Sequence, residues 1–265
     1  MTFVEDLFGL SGQRAIVTGA GGGIGRASAR ALAAAGASVA LVDLPGSEDR
    51  LKEQATQLAD ELGAKVTHSV ADVSSPEDVL RMINEVTEQL GGIDIAFSNA
   101  GVISGAELDV EIDYESWRRN VDVNLGGMFL VGRAAAQRMI AQGTGGSIIN
   151  TASMSGMIVN DIMDGTRGGS AYSAAKAGVI HLTKSQATQW VRHKIRVNAI
   201  SPGYILSGIH QGIPDKVMEF CARRTPMKRL GDVDEVTGAV LYLASPASSF
   251  VTGSNLVVDG GYTCW

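Results

Sequence analysis

The chain has 265 residues, 45% of them hydrophobic, which is long and apolar enough to bury a full core and argues against a disordered polymer. A formal net charge of −6 with no long basic run gives a nucleic-acid partner no electrostatic support, and the Arg223, Arg224, Lys228 and Arg229 stretch reads as a solvated face. No apolar run reaches the roughly 18 residues of a membrane span. Two cysteines (Cys221, Cys264) and four histidines, none at metal-ligand spacing, exclude a disulfide scaffold and point to no metal site.

Residues 1–12 carry Glu5 and Asp6 and no apolar h-region, so no signal peptide is read there and a cytoplasmic enzyme or binding protein is expected. From there, short apolar runs alternate with longer helical patterns. Strands are predicted at 15–18, 38–43, 65–71, 93–98, 147–150, 195–200 and 256–258. Helices are predicted at 24–35, 48–62, 76–90, 117–141 and 171–192, with Pro76 at a helix start behind a Ser74 or Ser75 cap. Strands apolar throughout are buried on both faces, so the expected fold class is α/β: one Rossmann-type, doubly wound parallel sheet with helices on both faces, spanning residues 1–265. Two stretches break the rhythm, a polar insert at 156–169 and a segment at 203–228 with an extended start and a weak helix near 215–222. Both read as binding loops.

The first strand runs into Thr18-Gly19-Ala20-Gly21-Gly22-Gly23-Ile24-Gly25 and then a helix. Glycines there let the backbone approach a pyrophosphate, and the helix N-terminus offers free N–H groups to it. The strict G-x-G-x-x-G spacing is absent; the loop reads T-G-x-x-x-G-x-G. Asp43, at the end of the next strand, is placed to accept hydrogen bonds from the ribose hydroxyls of NAD and to repel the 2′-phosphate of NADP. No Lys or Arg stands beside it in Val42-Asp43-Leu44, nor in the loop before Gly23.

Tyr172-Ser173-Ala174-Ala175-Lys176 puts a phenol and an ammonium on one helix face. Bringing a tyrosine from its ordinary pKa of ~10 to neutrality takes ~4 kcal/mol. One unit charge at ~4 Å supplies about that at an effective dielectric of ~20.

The glycine loop, Asn99-Ala100-Gly101, Asn124, Ser153, Tyr172/Lys176 and Pro202-Gly203 occur in the order seen in the short-chain dehydrogenase/reductase family, and the chain resembles that family over nearly its whole length. The resemblance implies a seven-stranded parallel sheet, a homotetramer and NAD(H)-linked interconversion of a secondary alcohol and a ketone. Carried over by position, Gly19, Gly23, Ile24 and Gly25 match the pyrophosphate loop, Asp43 the ribose acid, and Asp72 and Val73 the pair bracketing adenine. Asn99, Ala100 and Gly101 match the turn under the cofactor ribose, and Pro202, Gly203, Ile205 and Ser207 the nicotinamide-side loop, with Ser207 where a threonine is common. Ser153 matches the serine that bonds the substrate oxygen, with Ser155 as its neighbouring competitor. Tyr172 matches the acid/base, Lys176 the residue that binds ribose and lowers the tyrosine pKa, and Asn124 the holder of a proton-relay water.

The Ser153–Asn160 segment and the Asp259–Thr263 ending resemble the polyol and ketose members (galactitol, sorbitol and xylulose enzymes), which makes Asn160 a candidate contact to substrate hydroxyls. The 156–169 insert is longer than usual for the family. Two other readings stand beside this one: a 3-oxoacyl thioester reductase, which Asp43 opposes because those enzymes favour NADPH, and a non-catalytic NAD-sensing protein, which has no use for Tyr172 and Lys176.

Overall fold

The computed structural model describes residues 2–103, 112–163, 166–167, 169–208 and 214–264, with backbone only at 161–163 and 166–167. In chain order the elements are α1 (Phe3–Phe8), β1 (Arg14–Thr18), α2 (Gly23–Ala34), β2 (Ser38–Asp43), α3 (Glu48–Leu62), β3 (Val66–Val70), α4 (Pro76–Leu90), β4 (Ile95–Ser98), α5 (Tyr114–Val121), α6 (Gly127–Gln142), β5 (Gly146–Thr151), β6 (Asp161–Met163), β7 (Thr166–Arg167), α7 (Ser170–Trp190), β8 (Ile195–Pro202), β9 (Ile205–Leu206), α8 (Asp215–Arg224), β10 (Gly231–Asp232), α9 (Asp234–Ala244) and β11 (Asn255–Val258).

Seven strands form one parallel sheet in the order β3-β2-β1-β4-β5-β8-β11. Each predicted strand is one of its members. Side-chain alternation assigns the two faces. Val17, Val39, Leu41, Ile95 and Phe97 pack with Leu32 of α2, Leu51 of α3 and Val240 of α9. Ile16, Ala40, Val42, Ala96 and Ile148 pack on the opposite side with Met82 and Val86 of α4 and Val131 and Met139 of α6. A sheet apolar on both faces must be covered twice, which is the doubly wound arrangement. The chain runs outward from β1 to β3 and then returns to β4 on the other side of β1. The carboxyl ends of β1 and β4 therefore part into the crevice where such sheets take ligands.

Local sequence explains the helices that frame this crevice. In α2 the buried residues Gly25, Ser28, Ala29, Leu32 and Ala33 make one stripe at helical spacing. In α4, Ser75 accepts from the Asp78 N–H, Pro76 opens the first turn, and Gly91 closes the last in the left-handed region.

Three expectations are corrected. The single helix predicted at 117–141 is α5 and α6 joined by a widened π turn over Asp122–Gly126. The insert at 156–169 contains the antiparallel pair β6–β7, and β6 lies against α8. The 203–228 segment holds β9, which pairs with β10, as well as the helix α8. Helices α1 and α9 lie outside the predicted set.

Candidate active site

Loops at the carboxyl edge of the sheet enclose a cleft of about 1150 Å³. It is lined by Gly19, Gly23, Ile24, Asp43, Asp72, Val73, Asn99, Ala100, Gly101, Asn124, Ser153, Asn160, Tyr172, Lys176, Pro202, Gly203, Ile205 and Ser207. Gly25 alone among the candidates does not line it. A Cβ there would lie 2.1 Å from the Gly19 carbonyl oxygen, so its absent side chain serves the packing of helix against loop. Gly19 itself turns at φ +67°, the left-handed region, with Asn99 and Ala100 against its back.

Asn99 ties this loop to the next strand. Its side-chain amide donates to the carbonyls of Thr18 (3.2 Å) and Gly19 (3.4 Å), and its backbone N–H donates to Thr18 Oγ1 (3.0 Å). The α2 N-cap is Gly22, which brings no side-chain acceptor to the first-turn N–H groups. An open glycine cradle running into an uncapped helix N-terminus fits the pyrophosphate of a dinucleotide.

At the far end of the cleft, Asp43 accepts from the N–H groups of Gly21 (2.8 Å) and Leu44 (2.8 Å). Sequence reasoning missed Arg50 here. The turn at Pro45–Ser47 folds α3 back so that Arg50 lines the same cleft, and its Nη2 and Asp43 Oδ2 reach the same point beside Gly21, 2.5 and 2.6 Å from where a Cβ would stand. Arg50 also donates to Ser47 Oγ (2.9 Å). The signal was the basic side chain on the first turn of α3, facing back toward Asp43. Asp72, which also lines the cleft, accepts from both the N–H and the hydroxyl of Ser74 (2.9 and 2.6 Å).

The reactive end draws on three elements. Tyr172 and Lys176 sit on α7 one turn apart, with Lys176 Nζ 5.5 Å from the phenol ring centroid. Lys176 is 2% exposed, and its Nζ donates to the Thr151 carbonyl (2.7 Å) at the end of β5. Burial disfavours the ammonium and lowers its pKa to about 7. Burial also raises the Tyr172 pKa, and the hydrogen bond from Ser153 opposes that rise.

Ser153 follows β5 in extended backbone; its Oγ accepts from the Ser155 N–H (3.1 Å) and lies 3.2 Å from Ser155 Oγ. Ser155, the sequence competitor, is thus its hydrogen-bonding neighbour, and both line the cleft. Asn160 is buried, donates from Nδ2 to Ser155 Oγ (3.0 Å), and leaves Oδ1 without a partner among the described residues. Asn124 sits in the π turn, where its Nδ2 donates to the carbonyls of Val102 (2.7 Å) and Asn120 (3.0 Å) and its Oδ1 accepts from the Val102 N–H (3.2 Å). Ser207 closes the cleft against Gly23. Among the described residues no group of three or more His, Cys, Asp or Glu side chains is placed to hold a metal ion, and no helix is long and apolar enough to cross a membrane.

Known proteins are similar to this chain over most of its length. A family model described as enoyl-(acyl carrier protein) reductase matches residues 19–263. The sorbose reductase of Candida albicans is 42% identical over 98% of this chain and 90% of its own. The NADP-dependent mannitol dehydrogenase of Hypocrea jecorina is 39% identical over 97% and 95%. The crystal structure of a short-chain type dehydrogenase/reductase from Mycobacterium marinum superposes with a TM-score of 0.93 at 44% identity, covering 99% of this chain and all of that one. With a matching family model over most of its length, close relatives and the same fold, the chain belongs to the short-chain dehydrogenase/reductase family and is an oxidoreductase that uses a nicotinamide dinucleotide.

Proposed function

We propose that the protein interconverts a secondary alcohol and a ketone of a polyol or ketose, with NAD(H) as its preferred dinucleotide. The observation that carries this reading is the meeting of Tyr172, Lys176 and Ser153 at one end of a single cleft whose other end reaches Asp43. The pyrophosphate would rest on Gly19, Gly23 and Ile24 at the start of α2. Its adenine would lie between Asp72 and Val73, and its ribose and nicotinamide along Asn99, Ala100, Gly101, Pro202, Gly203, Ile205 and Ser207. The bound dinucleotide supplies or takes up the hydride.

The chain's own residues do the rest. Ser153 Oγ and the Tyr172 hydroxyl hold the substrate oxygen between them; Tyr172 takes the hydroxyl proton in oxidation and returns it in reduction. Lys176, desolvated and held by Thr151, stands at the Tyr172 ring, where a proton gained by the amine places a positive charge beside the phenolate. Asn124, whose side chain bonds Val102 and Asn120 at the floor of the cleft near Lys176, would hold a relay water there.

A polyhydroxylated substrate suits the polar corner formed by Ser153, Ser155 and Asn160, whose Oδ1 has no partner among the described residues. Relatives acting on sorbose and mannitol support the same class. The contact between β6, in the insert, and α8, in the 203–228 segment, supports a role for both in shaping this end. For the cofactor, Asp43 supports NAD(H), and Arg50 beside it supplies the countercharge that keeps the preference shallow. The family habit of a homotetramer accords with the exposed Phe129 and Ile140 on α6, apolar side chains a second copy can cover.

Initial rates with sorbose, mannitol, galactitol, sorbitol, xylulose and acetoacetyl thioester, each with NAD(H) and NADP(H), test the reading. Turnover of a polyol or ketose, fastest with NAD(H), is the expected result. Turnover of the thioester alone would transfer the site to the acyl reductases, and no oxidoreduction with any of them would leave a sensor.

A further inference from the structure

The hydroxyl of Ser153 serves the substrate oxygen only when its proton points into the cleft. Its neighbours decide where that proton points. Ser153 Oγ and Ser155 Oγ are 3.2 Å apart, a single hydrogen bond in which either hydroxyl can be the donor. Ser155 Oγ is approached at 3.0 Å by Asn160 Nδ2, which is a donor and never an acceptor. With that N–H on one of its lone pairs, Ser155 keeps its own proton free to donate to Ser153 Oγ. Ser153 also accepts from the Ser155 N–H at 3.1 Å. A hydroxyl accepting two hydrogen bonds has one thing left to do, which is to donate.

We propose that Asn160 and Ser155 are positioning residues that fix the direction of a hydrogen-bond chain, Asn160 N–H to Ser155 O–H to Ser153 O–H to the substrate oxygen. The inference rests on the proposed role of Ser153 and deepens it. All three side chains line the cleft, and Asn160, Ser153 and Ser155 are each 8% exposed, so bulk water does not compete for the links. In this arrangement Asn160 Nδ2 faces Ser155, and Oδ1 has no hydrogen-bond partner among the described residues.

Asn160→Asp is the discriminating change, because a carboxylate of nearly the same shape can only accept. The Ser155 proton then turns to the new carboxylate, Ser155 Oγ takes the proton of Ser153, and the substrate oxygen loses its donor. Protonating the carboxyl restores a donor. The expected result is a kcat reduced by about 10- to 100-fold at pH 8, recovering toward wild type as the pH falls through the carboxyl pKa. Asn160→Ala removes the donor without reversing the chain, so its ratio to wild type stays flat with pH.

Ser155→Ala breaks the link, lowering kcat by about tenfold. In that background Asn160→Asp loses its pH-dependent effect. Equal, pH-independent losses for Asn160→Asp and Asn160→Ala overturn the inference, as does a pH-dependent effect of Asn160→Asp that survives Ser155→Ala. Wild-type turnover abolished by Tyr172→Phe and Ser153→Ala establishes the parent reading in the same assay. If the wild type turns over but Ser153→Ala leaves kcat intact, the parent reading fails and this inference with it. Should Asn160→Asp not fold, Ser155→Ala decides: an unreduced kcat overturns the chain.

Discussion

Lys176 is an amine 2% exposed that donates to the neutral Thr151 carbonyl. In the unfolded chain it keeps its proton to about 10.5, and in the fold it releases it near 7. Between those values the unfolded state binds more protons, so the cofactor-free protein gains stability as pH rises from 7 to 10, and the contribution is absent below 7. Urea unfolding at pH 7 and 9 is expected to show that gain, and Lys176→Met to flatten it; equal slopes for the two proteins would refute it. Asp43 has the opposite sign of consequence for ligands. Its carboxylate occupies the two N–H groups of Gly21 and Leu44 with Arg50 alongside. Asp43→Ser removes the repulsion of a 2′-phosphate and leaves the donors, and the ratio of kcat/KM for NADP to that for NAD is expected to rise by about 100-fold. An unmoved ratio would mean that Asp43 does not read the ribose.

At the scale of elements, the junction of α5 and α6 carries the most information. Asn124 binds Val102 twice and Asn120 once, latching the π turn to the loop after β4. Asn124→Ala leaves these buried groups unpaired and is expected to lower unfolding stability by roughly 2–4 kcal/mol, read by denaturant melts. Gly25→Ala is expected to cost about 1–3 kcal/mol and to weaken dinucleotide binding, because the loop backbone must retreat from the new methyl. The sequence discloses these two features unequally. Gly25 is visible as part of the loop pattern, although its packing role against Gly19 is not. The π turn depends on Val102, 22 residues away, and periodicity over 117–141 cannot register it. The apolar stretch of α9 is short and carries Gly238, so pattern alone does not separate it from a buried strand. Arg50 escapes for a related reason: seven residues and a turn separate it from Asp43, and only the folding of α3 brings them together.

Across the whole molecule, the sheet is what makes distant residues neighbours. Its inner strands β1, β2, β4, β5 and β8 are legible because they are buried on both faces and largely apolar, whereas the edge strands β3 and β11 are only partly buried and read from shorter, mixed runs. The order β3-β2-β1-β4-β5-β8-β11 then places the ends of β1, β4 and β5 side by side, so that Thr18, Asn99 and Thr151 join in one hydrogen-bonded row behind the cleft. Phe97 stands in the middle of that sheet with no exposure, and Phe97→Ala is expected to lower stability by about 3–5 kcal/mol with a matching fall in Tm. The same scaffold brings Tyr172 and Ser153 to one end of the cleft, where both are proposed to bond one substrate oxygen. This central claim is tested most directly by Tyr172→Phe, with turnover of a polyol or ketose and NADH binding measured on the same preparation. The account predicts a kcat lower by at least about 10²-fold with NADH still bound at close to the wild-type Kd; near-normal turnover with intact NADH binding would contradict it.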